Sequence, residues 1–230
     1  MNGEPQAPRR GRFLVIEGID GSGKTTQLDA LRRWLPASGL LPPGAALVVS
    51  REPGGTALGR ALRELLLHPP EGAAPSSIAE LLLYAADRRQ HVEEVILPAL
   101  EAGHWVLCDR YTGSTAAYQG HGRGLPLGLI TELEALATDG LEADLTLWLE
   151  LPLEISLERR GGRAADRIEA AGEAFLQRVV EGFARLAAER GWQRLDARLP
   201  PEQVAGACRE RIRAVLGRES EGTPGKGPDG

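Results

Sequence analysis

The most chemically loaded stretch of the sequence is EGIDGSGKTTQ, residues 17–27, which follows the apolar run Phe13-Leu14-Val15-Ile16. Gly18 to Thr25 reads G-x-x-x-x-G-K-[ST] and sits where that pattern must sit, after a strand and at the start of a helix. Its glycines let the backbone wrap so that several N–H groups converge on phosphate oxygens, and a helix starting near Lys24 adds its positive end. The phosphate-binding set is Gly18, Ile19, Asp20, Gly21, Ser22, Gly23, Lys24, Thr25 and Thr26. Lys24 brings a compact charge to the β/γ phosphates, a place that arginine's planar fork fills poorly. Thr25 offers a hydroxyl to Mg²⁺, so ATP with Mg²⁺ is the expected pair. Among 27 basic residues only Lys24 and Lys226 are lysines, and Lys226 falls in a Gly/Pro-rich tail. The oddity is Asp20, an acid in the middle of a loop shaped for anions.

Four further stretches lie at or near the C-terminal ends of predicted strands, where open α/β sheets bind ligands. SREPGGT (50–56) carries Arg51, placed for a bidentate phosphate contact, although alone it could be a surface ion pair. CDRYTGSTAAYQG (108–120) carries Asp109, suited to order Mg²⁺, and Arg110, a second phosphate ligand; a structural Asp–Arg pair is the plainer alternative. LLLYAADRRQ (81–90) puts Tyr84 and Arg88 four residues apart on one helix face, where a ring can stack on a base and a guanidinium can bond it. ERRGGRAADRIE (158–169) is an arginine cluster interrupted by glycines, a candidate short lid that brings charge onto transferring phosphates, or simply a solvated loop.

No Ser-His-Asp set or carboxylate pair accompanies these residues. Transfer to an acceptor that is already a phosphate needs no base to strip a proton, so positioning and charge neutralisation suffice. Asn2 is the only asparagine, which excludes the Asn-Lys-x-Asp loop common in guanine-reading switches. A small nucleotide kinase leads; an ATP-binding switch protein is the rival from another class.

The elements that must position these groups alternate in type. Strands are predicted at 12–17, in 45–54 (a strand ending in a loop), and at 104–111, 144–151 and 191–197. Helices are predicted from Lys24 to before Pro36, at 57–67, from about 77 to Ala102, and at about 126–138, 152–160, 169–189 and 201–216. Near-continuous apolar strands alternating with helices imply an α/β domain: a five-stranded parallel sheet with helices on both faces, a three-layer phosphate-loop kinase fold. It spans 12–216, with a lid at about 158–169, a flexible leader at 1–11 and a disordered tail at 217–230. The net charge of −5 argues against coating nucleic acid or an anionic membrane, and no apolar stretch is long enough to span a bilayer. Cys108 and Cys208, without metal-ligand spacing, read as reduced thiols of a cytoplasmic protein.

From about Arg12 to Leu216 the chain resembles the thymidylate kinase family, through FLVIEGIDGSGKTTQ, REPGGT, LLYAADRRQH, CDRYTGSTAAYQG and DRIE in that order. The resemblance implies direct in-line phosphorylation of dTMP by ATP, and a homodimer. It assigns Asp20 to the acceptor sugar's hydroxyl, Tyr84 to stacking on thymine and Arg88 to its carbonyl. Arg51 and Arg110 match the acceptor-phosphate contacts, and Ser114, Thr115 and Gln119 stand in the segment lining the base pocket. Tyr118 matches the ring that packs under the deoxyribose and crowds out a 2′-hydroxyl. The loop positions Asp20 to Gly23 hold no arginine, so this is similar to the members whose catalytic arginine lies in the lid. Arg163 is favoured there, with Arg160 and Arg159 behind it.

Overall fold

In the computed structural model, residues 10–161 and 166–217 are described. Five strands, β1 (Phe13–Glu17), β2 (Leu47–Arg51), β3 (Trp105–Asp109), β4 (Leu145–Glu150) and β5 (Gln193–Asp196), form one parallel sheet in the order β2-β3-β1-β4-β5. β1 is therefore central, paired with β3 on one side and β4 on the other. Its alternation divides the core. Phe13 and Val15 join Val106, Cys108, Val92, Ile96 and Leu100, whereas Leu14 and Ile16 join the larger cluster with Leu107, Leu31, Cys208 and Ile212. Burying both faces of β1 completely is what its unbroken apolar sequence requires.

The helices are α1 (Lys24–Trp34), α2 (Ala57–Leu67), α3 (Ser77–His91), α4 (Leu97–Glu101), α5 (Thr112–Thr115), α6 (Leu127–Thr138), α7 (Leu153–Arg160), α8 (Glu173–Glu189) and α9 (Pro201–Leu216). Thr56 and Ser76 cap α2 and α3 by accepting from the N–H groups of Gly59 and Ala79. Wide π-type turns at Val92–Ile96 run α3 into α4, so the long helical stretch predicted to Ala102 is continuous but uneven. The predicted helix 169–189 is broken: a 3₁₀ turn at Glu169–Ala171 ends on Gly172, at φ 96°, before α8 begins.

A further stretch departs from the sequence reading. α5 and a wide turn at Ala116–Gly122 make helical a segment that had been read only as a motif-bearing stretch after β3. Its glycines are poor helix formers but fit a crowded seam. A Cβ on Gly122 would lie 2.6 Å from the Phe175 ring of α8, and the Cβ of His121 lies 2.7 Å from where one on Gly182 would be. Tertiary packing outweighs propensity there. Gly11, placed in the leader, is buried and donates its N–H to the Leu100 carbonyl at 2.8 Å, so it packs as part of the folded domain. The predicted tail beyond Gly217 and the leader before Arg10 lie outside the described residues. Among the described residues, no helix is long and apolar enough to cross a membrane.

Candidate active site

The phosphate loop leaves the C-terminal end of the central strand and enters α1 through Gly23, at φ 90°. No side chain caps α1 and no acid stands in its first turn, so its leading N–H groups are left for an external anion. Lys24 is buried at 7% exposure, and its Nζ donates to the carbonyls of Gly18 at 3.0 Å and Ile19 at 3.1 Å. Burial, with Arg110's charge, lowers its pKa against the opposing pull of Asp20, Asp109 and Glu17. Ile19 puts its side chain in the core, leaving only backbone to the loop, and Ser22 is also buried, whereas Thr25 and Thr26 are exposed on the first turn of α1. Gly21 packs against Ser156 of α7, whose hydroxyl donates to the Asp20 carbonyl at 2.6 Å.

Asp20 has its own partners. Arg110 Nη2 donates to its Oδ1 at 2.6 Å, and the Tyr118 hydroxyl donates to its Oδ2 at 3.0 Å. Burial alone would raise this carboxyl, but Arg110 and Lys24 outweigh it and hold the pKa well below the ordinary range. Arg110 in turn bonds the Gly18 carbonyl and the Ser114 hydroxyl, both at 3.0 Å, and its guanidinium lies 5.3 Å over the Tyr118 ring. Its backbone is left-handed, at φ 71°, a conformation that costs an arginine energy and must be held from outside. Glu17, the last residue of β1, does so: its buried carboxylate accepts the N–H groups of Tyr111 and Ser114 and the Ser114 hydroxyl at 2.6 Å.

Beside the loop opens a cavity with about 540 Å³ of empty space, its mouth included. Asp20, Tyr84, Arg88, Arg110, Ser114, Thr115, Tyr118 and Gln119 all line it, so eight residues named from three separate motifs converge on one space. Arg88 is buried, not a surface arginine. Its Nε donates to Glu52 at 2.8 Å, and one terminal nitrogen donates to the Tyr111 carbonyl at 3.0 Å and the Thr115 hydroxyl at 2.9 Å. Burial pushes the Tyr84 phenol well above its ordinary pKa. A larger opening lined by Glu134, Arg190 and Trp192 includes no residue of the phosphate loop.

Two named groups stand elsewhere. Arg51 is exposed at the end of β2 and does not line the cavity. Asp109 ends β3 with a buried Oδ1 that has no hydrogen-bond partner. That orphaned oxygen and the exposed Thr25 hydroxyl are hard donors of the kind Mg²⁺ takes alongside its waters and substrate phosphates. In the lid segment, Arg159 donates to the Gly21 carbonyl at 3.4 Å, and Arg160 packs beside Gly21 with its Nη1 3.7 Å from Glu169. Arg163 lies outside the described residues.

Sequence reasoning missed Glu52, Arg63, Glu80 and Glu17. Arg63 lines the cavity from α2 and donates to the Pro53 carbonyl at 3.2 Å; burial, then Arg51's charge, lowers its pKa. Glu80 carried a signal, because Glu80, Tyr84 and Arg88 follow at intervals of four along one face of α3.

Comparison with known proteins agrees with this geometry. The thymidylate kinase family model matches residues 16–207. A thymidylate kinase of Synechococcus sp. (strain RCC307) is 66% identical over 207 residues, covering 90% of this chain and 98% of its own. One from Prochlorococcus marinus (strain MIT 9313) is 62% identical over 207 residues, covering 90% and 96%. The crystal structure of thymidylate kinase from Ehrlichia chaffeensis superposes with a TM-score of 0.70 at 31% identity, over 88% of this chain and 99% of that one. Matches of this identity across nearly the whole length of each relative place the chain firmly: it belongs to the thymidylate kinase family.

Proposed function

We propose that this chain transfers the γ-phosphoryl group of ATP directly to dTMP, giving dTDP for dTTP synthesis. The observation that carries the reading is the shared cavity. It joins an aromatic and arginine pair for the base, Tyr84 and Arg88, to Arg110 for the acceptor phosphate and Asp20 for the sugar hydroxyl, next to a phosphate loop with an uncapped helix. Lys24 and the loop N–H groups hold the donor phosphates, and Arg110 holds the acceptor phosphate, with Arg51 adding charge from outside the cavity, at the exposed end of β2. Ser114, Thr115 and Gln119 border the base, and Tyr118 fills the space beneath the sugar. In-line transfer without a covalent intermediate fits a site built of cations and backbone dipoles, which stabilise charge without themselves being attacked. Thr25 and Asp109 would hold Mg²⁺, which supplies charge neutralisation on the donor phosphates when bound. Arg163, with Arg160, would add charge from the lid.

A homodimer and a cytoplasmic location belong to the same proposal. Leu58 and Leu65 of α2, Ile78 and Leu82 of α3, and Leu127, Leu129 and Leu136 of α6 are exposed, on helices where α3 contacts both α2 and α6. A second copy would cover such apolar surface.

The test is ADP release with ATP and Mg²⁺ against dTMP, dUMP, dCMP, AMP and thymidine in parallel. Turnover concentrated on dTMP supports the reading. Turnover with another monophosphate voids the base contacts at Tyr84 and Arg88, and slow hydrolysis indifferent to every acceptor favours the switch alternative.

A further inference from the structure

We infer that Glu80 is a positioning residue that sets which bases the cavity accepts, by fixing which end of the Gln119 amide faces it. The inference rests on reading the cavity as the acceptor-base site. Gln119 is 2% exposed and lines the cavity, and its Nε2 donates to Glu80 Oε1 at 2.7 Å. The two ends of a glutamine amide are almost the same size, so shape alone does not decide which is presented. A carboxylate decides it, because it only accepts. The amide nitrogen is drawn to Glu80 and the carbonyl oxygen is left for a ligand.

Glu80 cannot turn away to release that choice. It is fully buried on α3, with Arg167 on its Oε2 at 2.6 Å and Arg123 on both oxygens, at 3.1 and 3.3 Å. Arg167 is itself fixed: its Nε donates to the Leu66 carbonyl at 2.8 Å and its backbone N–H to the Leu67 carbonyl at 3.2 Å. Glu80 therefore stands one turn before Tyr84 and two before Arg88, behind the wall they share.

An oxygen at that place accepts an N–H. Thymine and uracil carry one on the ring nitrogen beside the carbonyl, whereas neutral cytosine presents a lone pair there, which would face the amide oxygen without a hydrogen. A site built around a hydrogen bond rejects the analogue that cannot make it, because its own buried group is then left unpaired.

The test compares kcat/KM for dTMP, dCMP and N3-methylated dTMP in the wild type and in Glu80→Gln. A glutamine at 80 both donates and accepts, so the Gln119 amide can turn. The preference for dTMP over both analogues should narrow by about tenfold, chiefly through a higher KM for dTMP. Arg123→Met removes one guanidinium from the same carboxylate while leaving the Gln119 bond, and should lower Tm with the preference retained. Glu80→Gln/Arg123→Met removes the carboxylate's charge together with one of its partners; it should show the narrowed preference even where Glu80→Gln alone folds poorly. In a Gln119→Met background, Glu80→Gln should narrow the preference no further. Loss of turnover on all three acceptors alike, following Tm, would overturn the inference, as would equal narrowing in the Gln119→Met background. A wild type that phosphorylates dTMP with a preference unmoved by Glu80→Gln overturns this inference alone. A wild type without dTMP turnover overturns the cavity reading and this inference with it.

Discussion

Replacing Lys24 with methionine should separate catalysis from stability, because the structure sets the two effects in opposite directions. Methionine keeps an unbranched side chain of similar length and removes the charge together with its N–H donors, while the Gly18 and Ile19 carbonyls keep the Arg110 guanidinium and the Ser22 N–H as partners. The ammonium is nearly solvent-free, with two carbonyls at 3.0 and 3.1 Å and the Asp20 carboxylate at 3.7 Å. Burial and Arg110 nonetheless depress its pKa, so the folded chain favours the neutral amine more than the unfolded chain does. At pH 7, far below the ordinary lysine value, holding the proton is thus a cost to folding, and Lys24→Met relieves it. The charge's return comes in turnover. A unit charge about 4 Å from a phosphoryl oxygen, at an effective dielectric of about 20, contributes about 4 kcal/mol. Directed at charge developing in the transition state, that corresponds to about a thousandfold in kcat. Coupled ADP-release kinetics and thermal denaturation should give kcat reduced by about that factor with Tm unchanged or raised. A Tm lowered by more than about 5 °C, with kcat reduced less than tenfold, would show that Lys24 serves the fold and refute the reasoning.

Asp87 gives a pH test. Burial, then the charge of Glu52, pushes its carboxyl up to about 6, and its Oδ2 has no partner. The folded state favours the protonated acid, so that stability is present below about pH 4 and lost as pH rises through about 6, a difference of about 3 kcal/mol. Denaturation with urea at pH 4 and pH 8 should show Asp87→Asn gaining on the wild type by about that amount; a pH-independent difference would exclude the ionisation. Gly122→Ala should cost about 1–3 kcal/mol, because the new Cβ would meet the Phe175 ring at 2.6 Å and Val179 at 2.8 Å. An unchanged Tm would mean that the seam with α8 can open. Arg163→Ala should lower kcat far more than acceptor KM, and more than Arg160→Ala does; steady-state kinetics showing an effect on acceptor KM alone would remove Arg163 from the phosphoryl-transfer step.

The strands were legible because parallel strands buried on both faces must be apolar throughout, as Phe13–Ile16 and Val106–Cys108 are. The phosphate loop was legible because its chemistry is local: glycines, lysine and threonine act within one turn of chain. The helical run 112–122 was not, since Gly113, Gly120 and Gly122 argue against helix until Trp192, Leu127 and Phe175 are seen to crowd them. The cavity residues divide in the same way. Tyr84 and Arg88 share a helix face and could be read together. Glu52 and Arg63 matter only because chain folding brings them to that space, and an isolated arginine in an amphipathic helix signals nothing beyond solvation.

The Arg110–Asp20 pair makes the resting site an ion exchanger. Its strongest cation already has an internal counter-anion, and Gly18, Ser114 and Tyr118 hold that pair from three sides. In the proposed reaction an incoming acceptor phosphate would have to displace or share that resident carboxylate, an exchange that would favour a phosphate monoester over stray monoanions of lower charge. An inhibitor without an anion at that position faces no such exchange. It can leave the pair closed and draw its affinity from Tyr84, Arg88 and Gln119 alone.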